Sequence, residues 1–298
     1  MTAVPGREAP STFAGCRSVE VFDKTDDATF PMVVLYPTSK PESSLHLGEH
    51  DLNASVDAAP RNGVFPLVLI SHGSGGSPLL HRTLALHLAR NGFVVGVPEH
   101  PFNNRDNNSL EGTVENLFNR PRHIRTVIDW FFGRKEFARL LKHGSVAVIG
   151  HSLGGYTALA AAGGVPIIKE ASEPGRRLDV VHDSRIRALV LLAPATTWFR
   201  SDGALSGLNI PILLFVGDKD EHTPREAHVQ PILKGVPDET KVECRVIENA
   251  GHFSFLSPYP PHMVKTAFPP SQDPPGFDRA RFHEKLNTEV LEFLLRVL

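Results

Sequence analysis

A serine flanked by glycines is the feature of this sequence best suited to covalent chemistry. The segment runs Val146-Ala147-Val148-Ile149-Gly150-His151-Ser152-Leu153-Gly154-Gly155, from a predicted buried strand into a predicted helix. A serine on a sharp strand-to-helix turn of the pattern G-x-S-x-G is a nucleophile elbow, which leaves no room for side chains two positions away. The same letters also occur by chance in tight turns, but the strand and helix on either side predict that Ser152 is a catalytic nucleophile.

A serine hydroxyl needs a base to become a good nucleophile, and position has to select that base among 15 histidines. His252 comes after the last predicted strand, in Gly251-His252-Phe253. That places it at the carboxyl ends of the strands, which is the same edge as the elbow. We therefore predict that His252 is the base, with His222 and His262 as weaker candidates.

The base needs a carboxylate to orient it. The loop after the preceding strand offers three, Asp218, Asp220 and Glu221. Asp218 comes directly after Gly217, where we expect it to cap the turn, and the longer Glu221 would overshoot the imidazole. Asp220 lies nearer the tip of the loop and can reach His252, so we predict that Asp220 is the acid.

The developing oxyanion needs hydrogen-bond donors. Ser71-His72-Gly73-Ser74-Gly75-Gly76 comes after another predicted strand, and a glycine-rich turn lets backbone amides approach a substrate oxygen. We predict that the amides of Leu153 and Ser74 form the oxyanion hole. The alternative for this segment is a simple turn that ends the strand.

Two further strands end next to residues that could bind substrate. His100, in the polar stretch after one strand, is expected to line the site, and Trp198, after another, is expected to form an apolar wall. A polar turn and ordinary core packing are the alternatives for these two residues. Arg120 could orient a substrate carboxylate, although a salt bridge at a helix start is the favoured interpretation.

These residues need a scaffold, and the pattern of apolar runs predicts one. Continuous apolar strands alternate with helices, which indicates an α/β fold with a mostly parallel central sheet covered by helices on both faces. About 17 residues separate the strand ending at Leu192 from the one starting at Ile210, too few for a large cap domain. We predict a single domain over residues 1–298, with residues 1–15 flexible and residues 37–63 and 258–276 as long loops.

Composition and motifs exclude several other classes. A net charge of −2, 41% hydrophobic residues and no long apolar run argue against nucleic-acid or membrane partners. Phosphate-loop, dinucleotide-binding and zinc-protease motifs do not occur in the sequence, so neither a metal nor a cofactor is predicted. Because Cys16 and Cys244 are expected on distant strands and no signal peptide is recognised, reduced thiols and a cytoplasmic location are expected. The sequence indicates no oligomeric state.

Together these segments resemble those of the α/β-hydrolase superfamily. More narrowly, the chain is similar to predicted dienelactone-hydrolase-like proteins and to the platelet-activating-factor acetylhydrolase type II group. The resemblance runs from about Cys16 to the C-terminus, and its more specific segments are Asn119-Arg120-Pro121-Arg122-His123-Ile124, Ala250-Gly251-His252-Phe253-Ser254-Phe255-Leu256 and Pro274-Pro275-Gly276-Phe277-Asp278-Arg279. It implies an α/β-hydrolase fold, ester hydrolysis without a metal, and an acid at Asp220 in Gly217-x-x-Asp220.

The chain departs from these families at two points. True dienelactone hydrolases use a cysteine where this chain has Ser152, and the apolar surface helices of lipoprotein-acting acetylhydrolases have no clear equivalent here. We therefore predict a serine esterase for small, soluble carboxylic esters. The alternatives are an amidase, lactonase or polyester hydrolase with the same triad, or a binding protein that kept the fold.

Overall fold

The computed structural model describes residues 12–168 and 175–298, which form twelve strands and seven α-helices. The strands are β1 Phe13–Asp23, β2 Ala28–Thr38, β3 Ser43–Leu47, β4 His50–Val56, β5 Phe65–Ser71, β6 Val94–Pro98, β7 Leu141–His151, β8 Ile167–Ile168, β9 Arg176–Arg177, β10 Ile186–Leu192, β11 Ile212–Gly217 and β12 Val242–Ile247. The helices are α1 Arg82–Arg90, α2 Val114–Gly133, α3 Lys135–Ala138, α4 Leu153–Ala161, α5 Arg225–His228, α6 Gln230–Gly235 and α7 Arg279–Val297.

Ten of the strands form one sheet in the order β12-β11-β10-β7-β5-β6-β2-β1-β4-β3. The six strands from β12 to β6 are parallel to one another, and β2 then runs antiparallel to both β6 and β1. Strands β8 and β9 pair separately as a short antiparallel ribbon. The predicted mostly parallel central sheet is confirmed, and β12, whose sequence alternates, lies at one edge.

Both faces of the sheet are buried, as its continuous apolar strands require. Along β7, Val146 and Val148 join the core on one face, whereas Ala147 and Ile149 join the core on the other. Helices α2 and α4 cover the first face, and α1 and α7 cover the second. Across the described ranges the sheet and these helices account for the architecture, and no large cap domain is present.

The prediction of a long loop over residues 37–63 is wrong. Strands β3 and β4 form an antiparallel hairpin there, and β4 also pairs with β1. The hairpin adds the outer edge of the sheet, where one face of each strand meets solvent, and for that reason its composition is polar. Leu45 and Leu47 of β3 still alternate with polar residues and pack against the core. Residues 258–276 form turns around the short 3₁₀ segments Pro261–Met263 and Pro269–Ser271.

The expected flexible N-terminus is corrected in part. Residues 1–11 lie outside the described residues, but Phe13 to Gly15 belong to β1. In the described ranges, none of the helices combines the length and apolar character needed to cross a membrane.

The two cysteines are free and lie far apart. Cys16 is on β1 and Cys244 on β12, with six strands between them in the sheet. Seven inter-strand steps of about 4.8 Å place them roughly 30 Å apart, well beyond disulfide reach.

Candidate active site

The serine elbow is built by the end of β7 and the start of α4. Ser152 has φ 53° and ψ −120°, a conformation that is strained for a residue with a side chain. A Cβ atom on Gly150 would overlap the carbonyl oxygen of Gly154, and one on Gly154 would overlap that of Ser71. Both glycines are therefore required for the close approach of strand, turn and helix.

Asp220 and His252 are in contact, as the sequence predicted. His252 Nδ1 lies 2.9 Å from Asp220 Oδ2, and both residues are buried. Asp220 Oδ1 accepts hydrogen bonds from the amides of His222 and Thr223, and the Thr223 hydroxyl donates to Oδ2 over 2.7 Å. Burial alone would raise the pKa of Asp220, but the bonds from His252 and Thr223 outweigh it and lower the pKa to about 2. The carboxylate is therefore ionised at neutral pH.

The other two carboxylates of this loop, Asp218 and Glu221, are exposed. The expectation that Asp218 caps the turn is wrong, because Asp220 itself accepts the hydrogen bonds from the His222 and Thr223 amides of the turn. One oxygen of Asp220 thus holds the loop and the other contacts the imidazole. Thr223 was not recognised in the sequence, since a threonine three residues after an acid is a common turn residue.

The histidine of the elbow, His151, supports the backbone at His252. Its Nε2–H donates to the His252 carbonyl oxygen over 3.0 Å, and the two ring centroids are 4.9 Å apart. Burial, together with the nearby His252 and His81, lowers the pKa of His151 well below its usual range. His151 is thus a neutral spacer between the serine turn and the histidine loop.

Ser152, His151 and His252 line the same cavity. The hydrogen bonds of the described residues include the Asp220–His252 bond but none between Ser152 Oγ and His252 Nε2. Catalytic hydrogen bonds of this kind are commonly loose without substrate and tighten in the Michaelis complex.

The glycine-rich segment after β5 passes directly against the serine. A Cβ on Gly73 would lie 3.2 Å from the Ser152 Cβ, so only glycine leaves space there for a reacting group. Ser74 lines the same cavity. Leu153 is the first residue of α4, and its amide has no helical carbonyl partner. Leu153 thus follows Ser152 directly, Ser74 follows the glycine that packs against it, and their role as an oxyanion hole stays a prediction.

The cavity has a volume of about 870 Å³. One part of its wall comes from the glycine-rich segment and another from the β3–β4 hairpin, with Gly48, Glu49 and His50. The apolar lining comes mainly from the chain after His252 and consists of Leu80, Phe253, Leu256, Tyr259, Met263 and Phe268. These wall residues were not predicted, because they belong to segments without periodic sequence.

Comparisons with known proteins agree with this architecture. A family model described as the alpha/beta hydrolase fold matches residues 66–204. A ferulic acid esterase from Streptomyces cinnamoneus superposes with a TM-score of 0.70 at 20% identity, covering 97% of this chain and 92% of that one. A dienelactone hydrolase from Anabaena variabilis superposes with a TM-score of 0.58 at 17% identity, covering 95% and 98%. These matches show that the chain has the α/β-hydrolase fold.

Two curated relatives match this chain over only part of their own length. A bis(hydroxyethyl) terephthalate hydrolase of Streptomyces coelicolor is 26% identical over 193 residues, 65% of this chain and 52% of the relative. The cutinase est1 of Thermobifida alba is 23% identical over 216 residues, 72% of this chain and 62% of the relative. The chain therefore spans between half and two thirds of the length of these relatives.

The two residues predicted to bind substrate, His100 and Trp198, do not line the cavity at Ser152. His100 is fully buried, and its Nε2 shares a 2.8 Å hydrogen bond with Ser71 Oγ. The Trp198 ring packs on Tyr156, with centroids 4.9 Å apart. Both predictions are corrected, because the chain after β6 turns inward and the aromatic pair after β10 extends the core.

One group of potential metal ligands exists among the described residues. Oxygen and nitrogen atoms of Asp23, Asp26 and His123 lie within 4.8 Å of one another. The guanidinium of Arg122 already forms ion pairs with both carboxylates, over 3.0 Å for Asp23. These residues are not part of the cavity lining at Ser152.

Proposed function

We propose that this protein is a serine-dependent carboxylic ester hydrolase. His252 Nε2 takes the proton of Ser152 as Oγ attacks the ester carbonyl, and the amides of Leu153 and Ser74 bind the oxyanion. The proton then passes to the departing alcohol, which leaves an acyl group on Ser152. Water attacks that acyl group with His252 as base, and the acid is released with the serine restored.

The observation that carries this proposal is the Asp220–His252 bond beside a serine on a strained elbow. A binding protein that merely kept the fold has no need of a buried carboxylate, held by three donors, behind a histidine of the cavity. The names of the two curated relatives and of the Streptomyces cinnamoneus esterase support ester hydrolysis.

The proposed substrates are esters with a bulky apolar or aromatic group. A volume of about 870 Å³ lies at the upper end of the range for small-molecule sites and exceeds what a short-chain ester fills. The wall formed by Phe253, Tyr259 and Phe268 suits an aromatic ring. The relatives named for terephthalate and ferulic acid esters point in the same direction, so the smallest soluble esters are the less favoured substrates.

A labelling and turnover experiment tests the proposal. Wild-type protein and Ser152→Ala are treated with a fluorophosphonate, and the adduct is located by mass spectrometry. Both are then assayed with p-nitrophenyl acetate, p-nitrophenyl benzoate, bis(2-hydroxyethyl) terephthalate, a lactone and an anilide. We expect an adduct on Ser152, none in the variant, and the highest kcat/KM on the aromatic esters. A folded wild type with neither adduct nor turnover would overturn the proposal, and preference for the anilide or lactone would assign the alternative reactions.

A further inference from the structure

A guanidinium is buried in the centre of this protein without an acidic partner. Arg120 of α2 is fully buried, and in the described part of the chain no carboxylate lies within ion-pair distance of it. The predicted salt bridge at a helix start is therefore wrong, and so is a contact with a substrate carboxylate from the cavity wall. Burial lowers the pKa of Arg120 to about 9, which still leaves it a cation at pH 7. An unpaired buried cation is costly, and its retention calls for a reason.

The acceptors of Arg120 are neutral and belong to the elements that surround Ser152. Nε donates to Thr157 Oγ1 over 2.9 Å, and Nη1 donates to Asn103 Oδ1 over 2.6 Å. Nη2 donates to Ser71 Oγ over 3.3 Å and to the His72 carbonyl oxygen. One planar group thus joins α4, the end of β5 and the loop after β6.

The contact with Asn103 continues to the oxyanion segment. Asn103 accepts from Arg120 through Oδ1, and its Nδ2 donates to Ser74 Oγ over 2.9 Å. Ser74 Oγ in turn donates to Glu111 Oε1 over 2.9 Å. The side chain of Ser74 is therefore held from two directions, which fixes the direction of the amide that we assign to the oxyanion hole.

We propose that Arg120 is a positioning residue for the oxyanion hole, acting on Ser74 through Asn103 and through the His72 carbonyl. The proposal rests on the ester hydrolysis proposed above for Ser152. Donors aimed in advance at a developing oxyanion need no reorganisation during the reaction, and a misplacement of about 1 Å can cost 10²-fold in rate. The rigid placement of the segment with Ser74 is thus a reason for this protein to keep the costly buried cation of Arg120.

A series of polar contacts leads from that charge toward a carboxylate. Because arginine only donates, Ser71 Oγ accepts from it, and the same oxygen lies 2.8 Å from His100 Nε2. His100 Nδ1 lies 3.3 Å from His123 Nδ1, and His123 Nε2 faces Asp23 Oδ2 at 3.7 Å. Hydrogen-bonded groups in such a series polarise one another, which helps to stabilise the buried cation.

Burial keeps the imidazole rings of His100 and His123 neutral. It lowers the pKa of His123 to about 3, with Arg122 and Arg120 adding to the effect, and it lowers the pKa of His100 well below its usual range. Neither ring therefore adds a positive charge beside Arg120 near neutral pH.

The test compares variants along this path with a matched control. Arg120→Met removes the donors and the charge, Asn103→Ala removes the link, and Asn103→Asp keeps an acceptor for Arg120 but loses the donor to Ser74. Arg125→Met, on the exposed part of the same helix, is the control. Reactive serines are counted with a fluorophosphonate, so that kcat is expressed per competent site. Affinity for a trifluoromethyl ketone, whose serine adduct carries an oxyanion, is measured alongside.

We expect kcat per competent site to fall by roughly 10- to 100-fold in Arg120→Met and in both Asn103 variants. KM should change by less than about threefold, and the ketone Ki should rise by the same factor as kcat/KM falls. The double variant Arg120→Met/Asn103→Ala should be little worse than Arg120→Met, because the two residues act in series. The control should match wild type.

Unchanged kcat and Ki in the Asn103 variants would overturn the proposal, as would a loss of kcat without a parallel loss of ketone affinity. If Arg120→Met fails to fold, the two Asn103 variants decide by the same criteria. Failure of the proposed function is distinguishable, because the wild type itself would then show neither turnover nor a serine adduct.

Discussion

Replacement of Asp220 by asparagine is the sharpest test of how the candidate triad works. Asparagine keeps the shape of the side chain, and its oxygen can still accept the amides of His222 and Thr223. Its NH₂ group, however, would face His252 Nδ1 and donate to it. His252 would then carry its hydrogen on Nε2, which is the wrong tautomer for taking a proton from Ser152.

The expected size of the effect can be worked out from the environment of Asp220. In a comparable triad the same change lowers kcat about 10⁴-fold, which is about 5 kcal/mol of barrier, and the same geometry predicts that loss here with little change in KM. The folded protein also lowers the pKa of Asp220 from 3.8 to about 2, a preference of about 2 kcal/mol for the carboxylate. That stabilisation is complete above pH 3.8 and is lost as the pH falls to about 2, so wild type and variant should differ in stability at pH 7 and converge near pH 2.

Asp218→Asn is the matched control, since Asp218 lies in the same loop and is exposed. Hydrolysis of p-nitrophenyl benzoate, with serines counted by a fluorophosphonate, separates slow chemistry from loss of folded protein. Urea unfolding at pH 7 and near pH 2 gives the stability difference at the two ends of this range. The reasoning is refuted if Asp220→Asn stays within tenfold of wild type, or if Asp218→Asn is the inactive variant.

Three further predictions concern the same framework. Thr223→Val removes the hydroxyl that donates to Asp220 Oδ2, and we expect kcat to fall roughly five- to tenfold, with an unchanged value counting against a role for that bond. Gly150→Ala would force a Cβ into the Gly154 backbone, so it should lower the free energy of unfolding by about 3 kcal/mol or more in urea titrations, and a wild-type midpoint would contradict this. Burial, with a contribution from Asp57, raises the pKa of Cys16 to about 11, so its alkylation by iodoacetamide in the native protein should be slow at pH 8 and accelerate toward pH 10; fast reaction at pH 8 would refute it.

The parts of the site that lie just after strand ends could be predicted from the sequence. β7, β11 and β12 are parallel, so their carboxyl ends lie at one edge, and the side chains just beyond them had to meet there. Apolar continuity was sufficient to recognise these strands, and glycine spacing was sufficient to recognise the elbow. For this reason Ser152 and His252 were predicted from local pattern. Asp220 was chosen by its place in the loop together with the resemblance in Gly217-x-x-Asp220, and the structure brings Asp220 and His252 into contact.

The start of α2 shows why other parts could not be predicted. Pro121 in this segment favours a helix that begins close to it, because proline cannot donate to a carbonyl four residues earlier. The helix in fact begins at Val114, with Thr113 as its N-cap, and the Tyr156 hydroxyl donates to the Leu117 carbonyl that Pro121 leaves unpaired. The partner that permits this helix is 39 residues away in the chain, beyond the reach of local pattern.

In the histidine-rich centre of the protein, burial decides which histidines can take up a proton, and residue type alone does not show this. His72, His81 and His151 are buried, and desolvation is the first cause that lowers the pKa of each, so they cannot accept a proton near neutral pH. His72 and His151 serve as neutral hydrogen-bonding groups beside the site. His252 combines a buried carboxylate on one ring nitrogen with a place in the cavity beside Ser152. A histidine that is to gain a proton during a reaction needs both, because the carboxylate stabilises the imidazolium and the cavity admits the substrate. Around the site, buried charge is thus carried by Arg120 and Asp220, and the buried histidines between them, His72 and His151, are neutral.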